Sequence, residues 1–249
     1  MKAFEFFSAK RRQFSQRAQA AFAQYKEAKK QRGMTLLEVI IVLGIIGTIA
    51  AGVVVLAQRA FDSRTVSEVV QNTNTIRVAI KDAYASKGSY PSYDSKVLGL
   101  TNETILTTDA GATTTLVKLG KVSSAEMRNK ISGDFYAIGG GMTSAGQTKD
   151  NAKGYVIEVN GLTSEQCRNI LTQVGNNWDY VETKTSAAGT YSLADNPVNM
   201  SVETPTALPS GPAILRSLGV NGTKNIDPST IVATCTADGA SNSIILGSR

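Results

Sequence analysis

The chain has 249 residues, of which 42% are hydrophobic and 18% charged, values typical of a folded protein. Its net charge of +6 would by itself suggest nucleic acid or an anionic membrane as a partner. Residues 1–33, however, carry nine Lys or Arg against two Glu, whereas the remainder carries 17 Lys or Arg against 18 Asp or Glu. The body is therefore nearly neutral and has no basic patch with interleaved aromatics, so no nucleic-acid partner is expected.

A long apolar segment follows this basic leader. Residues 34–57 read MTLLEVIIVLGIIGTIAAGVVVLA, and their single charged side chain is Glu38. As a helix, the segment would measure about 36 Å, enough to cross a hydrocarbon core of about 30 Å. The positive charge of residues 1–33 predicts that the leader lies in the cytoplasm and the body on the other side of the membrane.

Gly33 lies between the basic leader and the apolar segment. In an ordinary secretory signal the small-residue cleavage site follows the apolar region instead. A cut between Gly33 and Met34 would remove the charged leader and keep the apolar helix. An uncleaved signal anchor has the same composition, so composition alone leaves both alternatives open.

Glu38 is an unusual residue for an apolar helix. Inserting a carboxylate there costs on the order of 3 kcal/mol. Cleavage after Gly33 would create an amine on Met34, and a neighbouring subunit shifted along its axis could place that amine against Glu38, where opposite charges attract strongly. Alternatively, Glu38 lies close enough to the helix end for its carboxylate to reach the lipid headgroups.

The chain has two cysteines, Cys167 and Cys235. An even count in an exported chain predicts one disulfide. Closing a loop of this length would stabilise the fold by roughly 4 kcal/mol in the chain-entropy model. Two buried free thiols would be the expectation for a cytosolic body.

Helical periodicity continues beyond the apolar segment. Apolar residues recur at three- and four-residue steps as far as Tyr84, so one helix is predicted from about 35 to 86, with Lys87 and Gly88 as its stop. Its amphipathic second half needs a sheet to cover it.

The rest of the chain shows patterns of shorter elements. Capping-box spacings, apolar runs and alternation predict further helices at about 124–130, 163–174, 213–218 and 227–232, and strands at 155–159, 178–183 and 243–246. Polar, glycine-rich composition predicts surface loops at 92–115, 139–153 and 184–212.

The sequence shows no catalytic constellation. It has no histidine, which removes Ser-His and Cys-His nucleophilic pairs and His-ligated metals. Gly139, Gly140 and Gly141 lack the spacing of a phosphate-binding loop and predict a flexible turn. We therefore expect no enzyme activity, no catalytic residues, no metal and no cofactor.

The residues RGMTLLEVIIVLGIIGTIAAGVVVLAQRA, from Arg32 to Ala60, resemble the class III signal of type IV prepilins. Met34 and the long leader are similar to the type IVb subclass, and the likeness is strongest to the toxin-coregulated, CFA/III and longus pilins. A second likeness covers residues 160–171 around the first cysteine. The resemblance implies cleavage between Gly33 and Met34 by a prepilin peptidase, N-methylation of Met34 by the same enzyme, and a role for Glu38 in assembly.

The resemblance also implies an α+β fold, in which a long N-terminal α-helix with a membrane-spanning first half packs on an antiparallel β-sheet head with one disulfide. Four segments are expected: a leader removed from 1–33, the transmembrane and fibre-core half of the helix at 34–57, its amphipathic half at 58–87, and a globular head at 88–249. Within the head, the disulfide bounds the C-terminal region 167–235.

In function, the resemblance implies the major subunit of a type IVb pilus, made as an inner-membrane precursor with a periplasmic head and then assembled into an extracellular fibre. Implied partners are further copies of the chain, the prepilin peptidase, an inner-membrane assembly platform, a minor pilin, membrane lipid before assembly, and host or bacterial surfaces during adhesion, aggregation and colonisation. The alternatives are a type II secretion pseudopilin, a minor pilin, and a signal-anchored extracellular binding protein that does not polymerise.

Overall fold

The computed structural model describes residues 35–249, which divide into two compact units. The first unit ends at Ala57, and the second comprises Gln58–Arg249. Helix α1, Leu36–Tyr84, begins in the first unit and ends in the second. The segment boundaries expected from the sequence stay predictions.

The second unit is a mixed α/β structure. Its further helices are α2 (Gly111–Lys118), α3 (Ser164–Val174) and α4 (Pro228–Thr234), with short 3-10 helices at Ser95–Gly99 and Gly175–Asn177. Its strands are β1 (Ala137–Met142), β2 (Gly154–Leu162), β3 (Tyr180–Thr185), β4 (Val198–Asn199), β5 (Ile214–Arg216) and β6 (Asn242–Ser248).

The strands form one sheet in the order β4-β1-β2-β6-β3-β5. Neighbouring strands are antiparallel except at one edge, where β4 runs parallel to β1. The expected α+β fold is confirmed, with the correction that the sheet is mixed rather than wholly antiparallel. The C-terminal strand β6 lies in its centre, so the last residues of the chain complete the core.

The second half of α1 packs against one face of this sheet. Val69, Ile76 and Ile80 of its predicted apolar stripe are fully buried, which confirms the periodicity argument. The Tyr155 hydroxyl on β2 donates a hydrogen bond to the Arg77 carbonyl of α1 at 3.3 Å. Because side chains alternate across a strand, the residues that share the Tyr155 face of β2 also face α1.

Residues 186–203, here called the covering segment, lie over the opposite face. Glu158 of β2 points to that face, and its carboxylate accepts hydrogen bonds from the covering segment at Ser192 and Leu193. Met200, also in the covering segment, is fully buried against the sheet. The predicted loop 184–212 is therefore irregular over most of its length, but its contacts at Ser192, Leu193 and Met200 hold it against the sheet.

Several sequence predictions are confirmed in position. Helix α3 has the full capping box of Thr163 and Gln166, and helix α4 begins behind the N-cap Asp227. The predicted strands at 155–159 and 243–246 lie inside β2 and β6, and the strand predicted at 178–183 begins two residues later as β3.

Two helix predictions are wrong. Ser123 and Glu126 form their capping box, but only one turn follows, because Arg128 then pairs with Phe135 as an antiparallel bridge. Residues predicted as a helix at 213–218 instead form β5, which pairs with β3 as an edge strand of the sheet. In both places, strand-like pairing, with the nearby Phe135 in the first and with β3 in the second, overrides a weak local helix signal.

Several elements fall where loops were predicted, among them the 3-10 helix at Ser95–Gly99 and the short strand β4. Helix α2 lies partly in the predicted loop 92–115, and its Ala112 and Leu116 are fully buried. Gly139, Gly140 and Gly141 form the middle of β1 rather than a flexible turn. A Cβ on Gly139 would lie 3.2 Å from the Tyr93 Cβ, so close packing explains a glycine there.

Candidate assembly site at the start of helix α1

The predicted cleavage site, Gly33 and Met34, lies outside the described residues, which begin at Thr35. Of the residues predicted to act in assembly, the structure therefore places Glu38. It lies in the first turn of α1 and its side chain is exposed. Within the described residues 35–57 it is the single charged side chain, so any ion pair made by a side chain of this stretch involves it.

The first turn of α1 is capped by Thr35. The Thr35 hydroxyl accepts a hydrogen bond from the Glu38 backbone N–H at 3.2 Å, and the Thr35 carbonyl accepts one from the Val39 N–H at 3.2 Å. The spacing Thr-x-x-Glu is that of a capping box, a signal that was present in the sequence but not used there. Thr35 is thus a residue of this site that the sequence analysis missed.

The surface behind this turn is apolar and exposed. Leu36 is 78% exposed, and large exposed aliphatic side chains continue around the helix as far as Leu56. Within the described residues, α1 is the one helix that is long and apolar enough to cross a membrane. An apolar surface of this size needs lipid or protein to cover it.

The amphipathic half of α1 is attached to the end of the chain through Arg77. Its guanidinium donates to the Asn177 carbonyl at 2.7 Å and lies 4.8 Å from the centre of the Trp178 ring, in cation–π geometry. It also contacts the hydroxyl of Ser248 on β6 at 3.4 Å. Arg77 therefore joins α1 to the segment that leads into β3 and to β6.

Asp179 lies next to this contact. Burial alone would raise the pKa of its carboxyl group, but hydrogen bonds from the Arg249 N–H and the Ser248 hydroxyl, together with the charges of Arg249 and Arg77, lower that pKa overall. The ionised carboxylate thus helps to fix the C-terminal residues beside α1.

Cys167 and Cys235 form the predicted disulfide, with their Cα atoms 5.9 Å apart. Cys167 lies on the buried face of α3, and Cys235 is the C-cap of α4. Arg168 donates a hydrogen bond to the Cys235 carbonyl at 3.2 Å. Among the described residues, no group of acidic side chains is arranged to hold a metal ion.

Two family models match the chain. A model of the prokaryotic N-terminal methylation motif matches residues 28–54, which include Gly33, Met34 and Glu38. A model of the toxin-coregulated pilus subunit TcpA matches residues 115–245, which include most of the sheet and both cysteines.

Two similar proteins are toxin coregulated pilins of Vibrio cholerae. One is 38% identical over 205 residues, covering 81% of each chain. The other, from a serotype O1 El Tor strain, is 40% identical over 161 residues, covering 63% of this chain and 64% of the relative. The crystal structure of TcpA from the El Tor biotype, described as a type IV pilin, superposes with a TM-score of 0.57 over 75% of this chain and 99% of that one, at 22% identity.

A long helix with an apolar first half, followed by a sheet over its amphipathic half and one disulfide, defines a type IV pilin. The chain belongs to the toxin-coregulated pilus subunit (TcpA) family of type IVb pilins. It is therefore a structural subunit of a type IV pilus. Membership implies self-polymerisation, and the methylation motif implies processing of a membrane-anchored precursor by a prepilin peptidase.

Proposed function

We propose that this chain is the major subunit of a type IVb pilus, made as an inner-membrane precursor, cut between Gly33 and Met34, and N-methylated at Met34. One observation carries the proposal: the methylation motif over residues 28–54 coincides with the exposed apolar part of α1, residues 36–57, whose only charged side chain, Glu38, lies in the first turn. The leader 1–33, the helix halves 34–57 and 58–87, and the head 88–249 are its proposed segments.

The exposed apolar surface of α1 supports two successive environments for the subunit, first the membrane and then the fibre. In the precursor, lipid covers the apolar side chains from Leu36 to Leu56. In the fibre, the same side chains of neighbouring subunits replace the lipid. Because hydrocarbon tails and aliphatic side chains are similarly apolar, the exchange itself changes the free energy little, and packing and polar contacts decide its direction.

Glu38 supplies such a polar contact. Cleavage converts the Met34 peptide nitrogen into a cationic amine, and the carboxylate of Glu38 on a neighbouring subunit is the acceptor available to it. An ion pair in a dry helix bundle is strong, and leaving either charge unpaired there is costly. The pair would therefore set the axial register of one subunit against the next.

The processing step is tested by measuring the intact mass of the exported protein and sequencing its N-terminus. We expect a first residue of methylated Met34. A start at Met1, or at a residue after Ala57, would overturn the proposal.

The role of Glu38 is tested with Glu38→Gln, which keeps the size of the side chain and removes its charge, and with Glu38→Val. Both precursors should insert and be cut normally, but should form no fibres. Glu203→Gln, a change at an exposed acid of the head, is the control and should assemble normally. Normal fibres from Glu38→Gln would show that the charge of Glu38 is not needed.

The orientation with leader inside and head outside is supported by the charge difference across α1 and by the disulfide between Cys167 and Cys235. Disulfides persist in the periplasm and are rare in the cytoplasm. A protease added to spheroplasts should therefore digest sites in the head and leave the leader of the uncut precursor intact. The reverse pattern would exclude this orientation.

The major role is tested by electron microscopy of surface fibres labelled with antibody to residues 92–249. Labelling along the whole fibre is expected for the major subunit. Labelling at the tip alone would identify a minor pilin, and labelled cells without fibres would identify an anchored binding protein or a pseudopilin.

The remaining parts of the proposal concern the biology of the fibre. The relatives are named for a pilus that is co-regulated with a toxin. By analogy, the fibre would act in bacterial aggregation, in adhesion to host or bacterial surfaces and in colonisation, with an assembly platform and a minor pilin as further partners. The subunit would act as structure and not as an enzyme, without a cofactor.

A further inference from the structure

The chain contains two Asn–Gly pairs, Asn160–Gly161 and Asn221–Gly222. In such a pair the glycine nitrogen can attack the side-chain amide of the asparagine, because glycine has no side chain to hinder the approach. A bond forms between that nitrogen and the asparagine Cγ, ammonia leaves, and water then opens the succinimide ring. The product is aspartate or, where the backbone now runs through the former side chain, isoaspartate. The fold places the two pairs in very different surroundings.

The amide of Asn160 is enclosed by the head. Its side chain is 1% exposed, and its NH2 group donates to the Asp134 carboxylate at 2.7 Å and to the Thr190 carbonyl at 2.8 Å. The Ala187 carbonyl, at 3.3 Å, is a third acceptor for the same group. The carbonyl oxygen of the Asn160 side chain accepts a hydrogen bond from the Ser132 hydroxyl at 2.9 Å. Both ends of the amide are therefore engaged.

The nitrogen that would attack is engaged as well. The Gly161 N–H donates to the Ser186 carbonyl of the covering segment at 2.9 Å. Gly161 is also closely packed, because a Cβ there would lie 2.7 Å from the Ser132 Cβ. Attack on Asn160 therefore requires the covering segment to open first. The side chain of Asn221, in contrast, is exposed.

We propose that Asn160 is a modification site whose reaction depends on folding: the folded head protects its side-chain amide, and deamidation of an unfolded chain prevents that chain from folding again. A subunit that stays unfolded is thereby removed permanently from the pool that can assemble. Neither part of the proposal depends on the pairing of Glu38 with the Met34 amine.

The product does not fit the site that Asn160 occupies. Aspartate would lack both N–H donors and would bring a second carboxylate to the place where the amide nitrogen lies 2.7 Å from Asp134. Like charges in a buried site repel, and the Thr190 carbonyl would lose its donor. Isoaspartate would in addition lengthen the backbone of β2 at a point where the strand pairs with β6 on either side.

Protection is tested on the exported full chain, solubilised in detergent with its disulfide intact. One sample stays folded and another is unfolded in guanidinium chloride, both in the same mildly alkaline buffer, and peptide mass spectrometry follows the conversion of each asparagine. Asn160 and Asn221 should convert at similar rates in the unfolded sample. Folding should slow Asn160 by on the order of 100-fold or more, because reaction then requires local opening, and should slow Asn221 less. A ratio at Asn160 no larger than that at Asn221 would overturn the inference.

The effect on folding is tested by diluting the aged, unfolded sample out of the denaturant. Limited proteolysis then removes the chains that do not refold, and the surviving protein is analysed by the same mass spectrometry. Chains modified at Asn160 should be lost from the survivors, whereas chains modified at Asn221 should keep the share that they had before proteolysis. An unchanged share of chains modified at Asn160 would refute the proposal.

Variants test the cause of the defect. Asn160→Asp carries the product from synthesis and should lose most of its protease-resistant head, whereas the matched control Asn221→Asp should keep it. Adding Asp134→Asn to the Asn160→Asp chain should restore folding in part. The new amide can donate to the carboxylate at position 160, while its carbonyl oxygen accepts from the Gly189 N–H, which the Asp134 carboxylate binds at 2.7 Å. A head of Asn160→Asp as resistant as that of the wild type would overturn the inference.

Discussion

Glu158 is the most deeply buried carboxylate among the described residues, with no exposed side-chain surface. The two oxygens of its carboxylate accept hydrogen bonds of 2.9–3.0 Å from the Ser192 N–H, the Ser192 hydroxyl and the Leu193 N–H. A buried charge is tolerated when donors surround it in this way. Glu158 therefore holds the covering segment against strand β2.

Replacing Glu158 with Gln should destabilise the head by about 1–3 kcal/mol, because the new NH2 group would face N–H donors and leave them unsatisfied. The measurement is urea unfolding followed by the fluorescence of Trp178, the only tryptophan, which is 1% exposed. Glu165→Gln, on the exposed side of α3, is the control and should change the free energy of unfolding by less than about 0.5 kcal/mol. Equal effects of the two changes would contradict the role given to Glu158.

Asp179 makes the head sensitive to acid. Its folded pKa lies below the ordinary value of 3.8, so the unfolded chain takes up its proton first as the pH falls. The stabilisation from its carboxylate is thus fully present above about pH 4 and is lost as the pH falls through the lower, folded value.

Asp179→Asn should remove this contribution. We expect the wild type to be more stable than the variant at neutral pH, and the difference in free energy of unfolding to shrink as the pH falls below about 4. Urea titrations at several pH values provide the measurement. A difference that is the same at neutral pH and at about pH 2 would show that the carboxylate charge contributes nothing.

At the scale of elements, the glycines of β1 show what sequence patterns can miss. A Cβ on Gly141 would lie 2.8 Å from the Met200 sulfur, and one on Gly247 would lie 2.6 Å from it. Gly154, opposite Gly141 in the register, faces the same side chain. Three adjacent strands therefore form a glycine-lined socket for Met200. Composition alone predicted a flexible turn for the part of this socket that β1 contributes.

Gly141→Ala should destabilise the head by about 1–3 kcal/mol, since the new methyl group overpacks the socket. In the Met200→Ala background the same change should cost markedly less, because the side chain it displaces is gone. Gly99→Ala is the control, because a Cβ there meets no atom within 4 Å. Thermal unfolding of the four proteins gives the coupling, and strict additivity of the two changes would exclude the socket.

The two capping boxes of the head show what a local sequence signal determines about a helix and what it does not. Thr163 and Gln166 start an 11-residue helix whose apolar face, with Ile170 and Leu171, packs on the core. Ser123 and Glu126 make the same hydrogen bonds, yet the chain leaves the helical path after one turn. A cap starts a helix, but burial of its apolar face decides whether the helix continues.

At the scale of the whole molecule, the disulfide joins two regions separated by 68 residues and closes the part of the chain that holds β3, β4 and β5. Replacing both Cys167 and Cys235 with Ser should lower the free energy of unfolding by roughly 4 kcal/mol, through the greater entropy of the open unfolded chain. The measurement is urea unfolding of the variant beside oxidised and reduced wild type. A variant as stable as the oxidised protein would contradict a stabilising role.

The sequence by itself determined the features that depend on neighbours along the chain. The charge boundary at Gly33, the apolar helix with its single carboxylate, the amphipathic stripe as far as Tyr84, and the resemblance to type IV pilins all follow from local order and spacing. Helix periodicity and membrane insertion are local properties, so one sequence suffices to predict them.

Only the tertiary structure decided the features that depend on pairing between distant segments. The strand at 137–142, the strand in place of a helix at 214–216, and the attachment of the covering segment to Glu158 each require a partner far away in the sequence. Sheet register and side-chain direction are set by packing, and packing is a property of the folded molecule.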